Sequence, residues 1–76
     1  MPLYFFHICD GLGVIPDDEG MNFADDEAAK REGEASARDI LSRDIRDKQL
    51  QDDRRIEVTD REGAPVATFM LRDLIL

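Results

Sequence analysis

The stretch DDEAAKREGEASARDILSRDIRDK, residues 25–48 of the 76-residue chain, decides the fold because it carries the clearest helical pattern. Asp25 is suited to cap the helix, and Asp26 and Glu27 place negative charge in the first turn, where it complements the helix dipole. Small or apolar residues recur at helical spacing and predict one buried stripe. The stripe consists of Ala29, Gly33, Ala37, Ile40, Leu41 and Ile45.

The polar side of this predicted helix carries opposite charges four residues apart. In every pair the acid precedes the base, which is the better orientation, and each pair contributes about 0.2–0.5 kcal/mol. Gly33 costs about 1 kcal/mol relative to alanine, and we expect a close approach of the helix to the sheet to compensate for it. The predicted pairs are Asp26/Lys30, Glu27/Arg31, Glu34/Arg38, Asp39/Arg43 and Asp44/Lys48.

Two β-hairpins are predicted, one on each side of the helix. Aromatic and β-branched residues dominate the first strand, and apolar residues alternate with polar ones in the third. Turn chemistry at Asp10-Gly11 and from Asp60 to Gly63 separates the strands of each hairpin. The predicted strands are Leu3–Cys9, Val14–Pro16, Arg54–Asp60 and Pro65–Leu71.

These elements predict a single α+β domain over residues 1–76, with the order ββαββ. The helix packs on one face of a mainly antiparallel four-stranded sheet. Strand order stays open, because the first and last strands both look central. Which face of the sheet the helix covers stays open as well.

One helix covers one sheet face, yet the first and last strands are apolar on both faces. An uncovered apolar face usually marks a partner surface, and a two-fold homodimer is the economical way to bury it. Pairing of edge strands is the alternative geometry. The candidates for this interface are Leu3, Tyr4, Phe5, Phe6, Val66 and Met70.

The charge balance excludes one large class of function. The chain holds 18 Asp and Glu residues against 10 Lys and Arg, a formal charge of −8. Affinity for nucleic acid comes mostly from cations that displace counterions, so we expect no direct nucleic-acid binding. The apolar run Leu3–Cys9 is too short for a membrane span and lacks the flanks of a signal peptide. With Cys9 as the only cysteine, we expect a reduced, cytoplasmic protein.

Seven carboxylates precede the first cation of the helix and form a predicted acidic edge. It is interpreted first as a solvated edge that supports the helix N-terminus, and second as a docking surface for a basic partner protein. A divalent-cation site ranks behind both, because no loop has the ligand spacing of an EF-hand. The acidic edge consists of Asp10, Asp17, Asp18, Glu19, Asp25, Asp26 and Glu27.

His7 and Cys9 are the candidate chemical pair, since residues two apart in a strand share a face. They form either an imidazole-activated thiol or half of a metal site that a dimer completes. The structural alternative is a hydrogen-bonded histidine beside a small apolar filler. No third group orients the pair, and no phosphate loop or nucleophile motif occurs. We therefore expect a protein that is not an enzyme and uses no cofactor.

Several short segments resemble a family of short, uncharacterised bacterial proteins. The opening Tyr4-Phe5-Phe6-His7 is the most specific of them, and the likeness covers nearly the whole chain. The family is a domain of unknown function, so the resemblance implies no activity and no catalytic residues. The other matching segments are Met1-Pro2, Asp10-Gly11, Glu19-Gly20, Glu27-Ala28-Ala29, Ile56–Asp60 and Gly63.

A weaker likeness connects Asp25–Ala29 to the antitoxin partners of small RNA-cleaving toxins, although no DNA-binding extension follows. The leading hypothesis is a small non-enzymatic binding or regulatory module that homodimerises through its uncovered sheet face. The alternative, which the antitoxin likeness motivates, is an acidic protein that sequesters a basic partner.

Overall fold

The computed structural model describes residues 2–47 and 53–74. It confirms the predicted α+β fold and the ββαββ order, and it adds one short strand before the helix. The elements are β1 (Leu3–Asp10), β2 (Gly13–Ile15), β3 (Met21–Asn22), α1 (Asp26–Arg46), β4 (Arg55–Asp60) and β5 (Pro65–Met70), followed by a 3₁₀ helix at Leu71–Leu74.

Helix α1 begins where its capping signal predicts. Asp25 has extended backbone angles (φ −160°, ψ 177°), and its side chain accepts a hydrogen bond from the amide of Ala28 at 2.8 Å. A carboxylate in this position satisfies an amide that has no partner within the helix. The helix ends at Arg46, where the amide of Asp47 donates to the carbonyl of Arg43 at 2.9 Å. The predicted end at Lys48 lies outside the described residues.

The sheet is antiparallel, with the strand order β2-β1-β4-β5. β1 and β4 form its centre and pair from Tyr4 opposite Asp60 to Cys9 opposite Arg55. The last strand, β5, lies at the edge, although its two apolar faces made it look central. β2 and β3 both flank the side of β1 that faces away from β4.

The additional strand β3 lies where the sequence predicted only a polar connection. Gly20 adopts a positive φ of 74°, which lets the chain turn back along β1. Met21 then pairs with Tyr4, and the amide of Phe23 donates to the carbonyl of Pro2 at 3.0 Å. β2 and β3 thus lie end to end along the same edge of β1.

Gly33 places α1 directly on β4 and β5. A Cβ atom at Gly33 would lie 2.8 Å from Cγ2 of Val58 and 2.9 Å from Cε2 of Phe69. The predicted close approach is confirmed, since a real side chain does not fit into this space. The core beneath the helix consists of Tyr4, Ala29, Ala37, Ile40, Leu41, Ile56, Val58 and Leu71.

At its C-terminal end the apolar stripe differs from the prediction. Ile45 is 55% exposed, whereas Asp44 is buried with 6% exposure. Both carboxylate oxygens of Asp44 accept hydrogen bonds from Nη1 of Arg54, at 3.2 and 3.1 Å. The predicted partner of Asp44, Lys48, lies outside the described residues. Asp44 continues the spacing of Ala37 and Ile40, so its inward position follows from the helical period.

Two of the predicted ion pairs within the helix are confirmed, and two others, Asp26/Lys30 and Glu27/Arg31, give way to one pair between Glu27 and Lys30. Glu34 pairs with Arg38 at 3.6 Å, and Asp39 pairs with Arg43 at 3.5 Å. Glu27 pairs with Lys30 at 3.1 Å rather than with Arg31. Residues three and four apart are both neighbours on a helix surface, so sequence spacing leaves this choice open.

We predict that Gly33→Ala lowers the free energy of unfolding, although alanine is the better helix former by about 1 kcal/mol. The new methyl group would collide with β-branched and aromatic core side chains, and overpacking of this kind costs about 1–3 kcal/mol. Urea unfolding of the parent and the variant measures the difference. Ser42→Ala, at an exposed position of the same helix, is the control and should be neutral or stabilising. A Gly33→Ala variant more stable than the parent would contradict the close contact.

Candidate interaction surfaces

The face of the sheet opposite α1, called here the open face, is covered by neither of the described helices. Side chains alternate along a strand, so the burial of Tyr4, Ile56 and Val58 beneath α1 assigns their sequence neighbours to this other face. The open face carries Leu3, Phe5, His7, Cys9, Val14, Arg55, Glu57, Thr59, Thr68 and Met70.

The predicted interface residues therefore divide between the two faces. Tyr4 is 3% exposed and belongs to the core, and Phe6 and Val66 pack against that core. The remaining three, Leu3, Phe5 and Met70, are half-buried residues of the open face. The structure therefore does not support Tyr4 as an interface residue, because its side chain lies beneath the helix and is not accessible to a partner.

Exposed apolar side chains, none of them a predicted interface residue, cluster where β2 and β3 line β1. Leu12, at the tip of the first hairpin, is 98% exposed, and Asp10 holds its turn by accepting hydrogen bonds from the amides of Leu12 and Gly13. Val14 is 56% exposed and pairs with Cys9, which places it on the open face. Ile15 is 64% exposed and pairs with Ile8 on the opposite face.

His7 and Cys9 lie on the same face, as their spacing predicts, but His7 is already engaged on both ring nitrogens. Its Nδ1 accepts a hydrogen bond from the amide of Asp17 at 3.1 Å, and its Nε2 lies 3.0 Å from Oγ1 of Thr59. Because Nδ1 is the acceptor, this network assigns the proton to Nε2, which donates to Thr59. The ring also stacks on Phe5, with centroids 6.4 Å apart and planes 10° apart.

Cys9 has the surroundings of a protonated thiol. It is 1% exposed and lies near the ion pair between Arg55 and Glu57, whose atoms Nε and Oε2 are 2.8 Å apart. Burial, and then the negative charge of Glu57, raise the pKa of Cys9 above its ordinary value. An activated cysteine needs the opposite shift. Within residues 2–47 and 53–74, no three His, Cys, Asp or Glu side chains form a metal-binding group.

Asp17 anchors the segment between β2 and β3 to the edge of β1. Its Oδ2 accepts from the amide of Phe6 at 3.1 Å, and its Oδ1 accepts from the amides of Glu19 and Gly20, each at 3.2 Å. Burial of the carboxyl group opposes ionisation, but the hydrogen bonds from these amides outweigh it and lower the pKa of Asp17. Together with the bond from its own amide to His7, this carboxylate is a structural tie.

Most of the predicted acidic edge is engaged in the same way. Asp10 holds a turn, Asp25 caps α1, and Asp26 accepts from the hydroxyl of Tyr4 at 2.6 Å. The two members with no hydrogen bond or ion pair from their side chains, within the part of the chain described, are the exposed Asp18 and Glu19. The structure thus gives five of the seven carboxylates a partner within the chain.

The sequence carries a signal for these turn carboxylates that the predicted acidic edge does not take into account. Aspartate stands three residues before glycine at Asp10, Asp17 and Asp60. In each case the carboxylate accepts hydrogen bonds from amides two to four residues further on. Asp side chains commonly close turns of this kind, and a glycine completes them without steric cost. The spacing therefore distinguishes turn carboxylates from solvent-exposed ones.

Tyr4 and Asp26 border a cleft of about 560 Å³ at one end of the sheet. The hydrogen bond to Asp26, followed by burial and by the charges of Asp26, Asp25 and Asp60, raises the pKa of Tyr4 to about 12. The remaining lining residues are Pro2, Leu3, Asn22, Asp60, Arg61 and Glu62.

Comparison with known proteins identifies a family but no activity. A family model described as a domain of unknown function, DUF6894, matches residues 3–72. The predicted likeness to a short uncharacterised family is confirmed by this match, which spans nearly the whole chain. Neither the curated proteins nor the solved structures contain a significant match. Among the described residues, no helix has both the length and the apolar character needed to cross a membrane.

We predict that Asp17→Ala lowers the free energy of unfolding by about 1–3 kcal/mol, because the amide of Phe6 loses its acceptor. Asp18→Ala removes the neighbouring exposed carboxylate and should change it by less than about 0.5 kcal/mol. Urea unfolding at neutral pH measures both variants. Equal effects of the two substitutions would show that Asp17 is not a tie.

The same carboxylate predicts a pH dependence. The pKa of Asp17 is lower in the folded chain than its ordinary value of 3.8, so its ionised form stabilises the fold. This stabilisation is complete above pH 3.8 and is lost as the pH falls through the lower, folded-state pKa. Acid unfolding of the parent and of Asp17→Asn, followed by circular dichroism, measures it. The variant should lose less stability than the parent between neutral pH and pH 3.

Tyr4 allows a direct optical test, because it is the only tyrosine and the chain has no tryptophan. Its absorbance should titrate with a midpoint of about 12 while the fold persists, as monitored by circular dichroism. Asp26→Asn removes the charged acceptor and should move the midpoint down towards 10.0, the ordinary value. An unchanged midpoint in this variant would exclude Asp26 as the main cause.

Proposed function

The chain belongs to the DUF6894 family, whose function is unknown, and from its surface geometry we propose that it is a small, non-enzymatic binding module. It acts as a two-fold homodimer through the open face. One observation carries the proposal. The described helices occupy one face of the sheet, while the other face carries Leu3, Phe5, Val14 and Met70. A sheet with apolar side chains on both faces needs a second covering layer.

The polar residues of the open face support burial in an interface. His7 and Thr59 bond to one another, and Arg55 pairs with Glu57, so each of these four polar side chains already has a partner on the face. A polar group that keeps its partner on burial costs far less free energy than one that loses water without replacement. The apolar residues lie around these pairs, from Val14 on β2 to Met70 on β5.

The non-enzymatic part of the proposal rests on the candidate pair. A nucleophile needs a neighbouring base, and a base needs a free nitrogen in reach of a proton. Both nitrogens of His7 are occupied, and the raised pKa of Cys9 keeps the thiol protonated at neutral pH. A cytoplasmic location is part of the proposal, because a lone cysteine is compatible with a reducing compartment.

The alternative role, sequestration of a basic partner, has less support from the geometry. Five of the seven carboxylates in the acidic edge already bind groups of the same chain. That leaves Asp18 and Glu19 as its exposed charges without such a partner among the described residues.

Two neighbouring residues of β2 test the dimer. Val14 faces the open face and Ile15 the opposite one, with similar exposures of 56% and 64%. We predict that Val14→Lys weakens dimerisation by at least about tenfold, because an unpaired ammonium group would be buried in the interface. Ile15→Lys adds the same charge to the same strand and should change the dissociation constant by less than about twofold.

Sedimentation equilibrium of the parent and both variants measures these constants. Circular dichroism confirms that each variant is folded. A parent chain that stays monomeric at micromolar concentrations, or a larger effect of Ile15→Lys than of Val14→Lys, would contradict the proposed interface.

A further inference from the structure

The two edges of the sheet differ in whether their backbone groups have partners. Along the outer side of β1, β2 pairs with Ile8–Asp10 and β3 pairs with Leu3 and Tyr4. In the gap between these two short strands, the amide of Phe6 donates to Asp17. β5 ends the sheet at the other side, and no strand among the described residues pairs with its outer edge.

The hydrogen-bonding pattern between β4 and β5 identifies which backbone N–H and C=O groups of β5 point away from the sheet. The amide of Leu71 donates to the carbonyl of Arg54 at 3.0 Å, so this pair faces inward. In an antiparallel ladder such pairs alternate with pairs that point away from each other. Phe69 and Ala67 therefore bond towards β4, while the N–H and C=O groups of Thr68 and Met70 face the free edge.

The usual protections of an edge strand are present only at the start of β5. Proline, charged side chains and bulges discourage the addition of another strand. Pro65 is the first residue of β5, and the register shift beside Val58 and Thr59 makes Val66 the extra residue of a bulge. The following residues, 67–70, carry neither a proline nor a charge. The C-terminal part of β5 is thus open to strand addition.

A groove accompanies this free edge on the helix side of the sheet. It has a volume of about 460 Å³ and lies between the first half of α1 and β5. The residues Val66 to Phe69 contribute its strand side, and Glu27, Lys30, Arg31 and Glu34 contribute its helix side. A strand added to β5 would direct every second side chain towards this groove, because successive side chains alternate between faces.

The charges of the groove select the kind of occupant. Lys30 is neutralised by Glu27, and Glu34 is neutralised by Arg38. Arg31 is exposed and has no ion pair within residues 2–47 and 53–74. The unneutralised charge of the groove is therefore positive, in a chain whose net charge is −8.

This local charge argues against a second copy of the chain as the occupant. β5 contains no acidic residue, so β5 of a second copy would leave Arg31 unneutralised. An extended peptide with an acidic residue would neutralise Arg31, and its backbone would pair with the outward N–H and C=O groups of Thr68 and Met70.

We propose that β5 and its groove bind an extended, acidic segment of a partner protein by strand addition. The backbone of the segment pairs with Thr68 and Met70, an apolar side chain packs beside Phe69, and a carboxylate pairs with Arg31. This mode of recognition uses main-chain hydrogen bonds for affinity and alternate side chains for specificity. The proposal rests on the proposed role as a binding module, but it does not require the dimer, whose distinguishing residue, Val14, lies on the opposite edge strand.

The test titrates the isotope-labelled full chain with the synthetic peptide Thr-Val-Thr-Asp-Thr-Val-Thr, blocked at both ends, and follows the amide signals by NMR. Its alternate residues Val, Asp and Val would face the groove. We expect saturable shifts at residues 27–34 and 66–70, and no binding of a peptide N-methylated at alternate amides on the pairing edge. The same titration in the Val14→Lys background separates this site from the dimer, because the peptide should bind there unchanged.

Matched variants test the charge and the edge separately. Arg31→Glu should weaken binding of the Asp peptide by at least about threefold and favour the same peptide with Lys in place of Asp. Arg46→Glu makes the same change in net charge at an exposed position at the end of α1 and should change the affinity by less than about twofold. Thr68→Pro removes an outward amide without breaking the ladder and should abolish binding.

Four results would overturn the proposal. The first is the absence of shifts at low-millimolar peptide, and the second is shifts centred on Leu3 and Phe5 of the open face. The third is equal weakening by Arg31→Glu and Arg46→Glu, which would indicate only a general charge effect. The fourth is conversion of a dimer to a monomer by Thr68→Pro, which would assign the edge to a second copy. Failure of Val14→Lys to disrupt a dimer would instead count against the open-face interface alone.

Discussion

The contact of Gly33 with Val58 and Phe69 determines how the rest of the molecule is arranged. A Cβ at this position would lie less than 3 Å from both side chains, so the helix backbone rests directly on β4 and β5. The helix therefore covers one face of the sheet and leaves the other face open. Helix α1 leaves three parts of the sheet uncovered. They are the open face, the outer edge of β1 and the groove beside β5.

At the outer edge of β1, Asp17 supplies the hydrogen-bond acceptor that neither β2 nor β3 provides. β2 and β3 are too short to pair with the whole strand, and the amide of Phe6 lies in the gap between them. The carboxylate of Asp17 accepts from this amide, and the amide of Asp17 donates to His7. Asp17 thus satisfies the free amide at the edge of β1 and also donates a hydrogen bond to Nδ1 of His7. No comparable group closes β5 among the described residues, so the two edges of one sheet have different properties.

Patterns that depend on near neighbours predicted most of the fold. The cap at Asp25, the stripe from Ala29 to Leu41 and the close approach at Gly33 all follow from residues within a few positions of one another. The exception is Ile45, which the stripe included although Asp44 takes the buried place. A polar residue in an apolar register is easily passed over, because its partner, Arg54, is ten positions away.

The sequence by itself determined the elements, their order and the two-sided apolar character of the strands, because periodicity and turn chemistry act over short distances. It also placed His7 and Cys9 on one face. Only the tertiary structure decided which face the helix covers, that β5 is an edge strand, and that most carboxylates of the acidic edge bind amides or hydroxyls of the chain. These outcomes depend on contacts between residues far apart in sequence, such as Gly33 with Phe69 and Asp17 with Phe6. Such contacts form only when the whole chain packs, so local sequence patterns do not determine them.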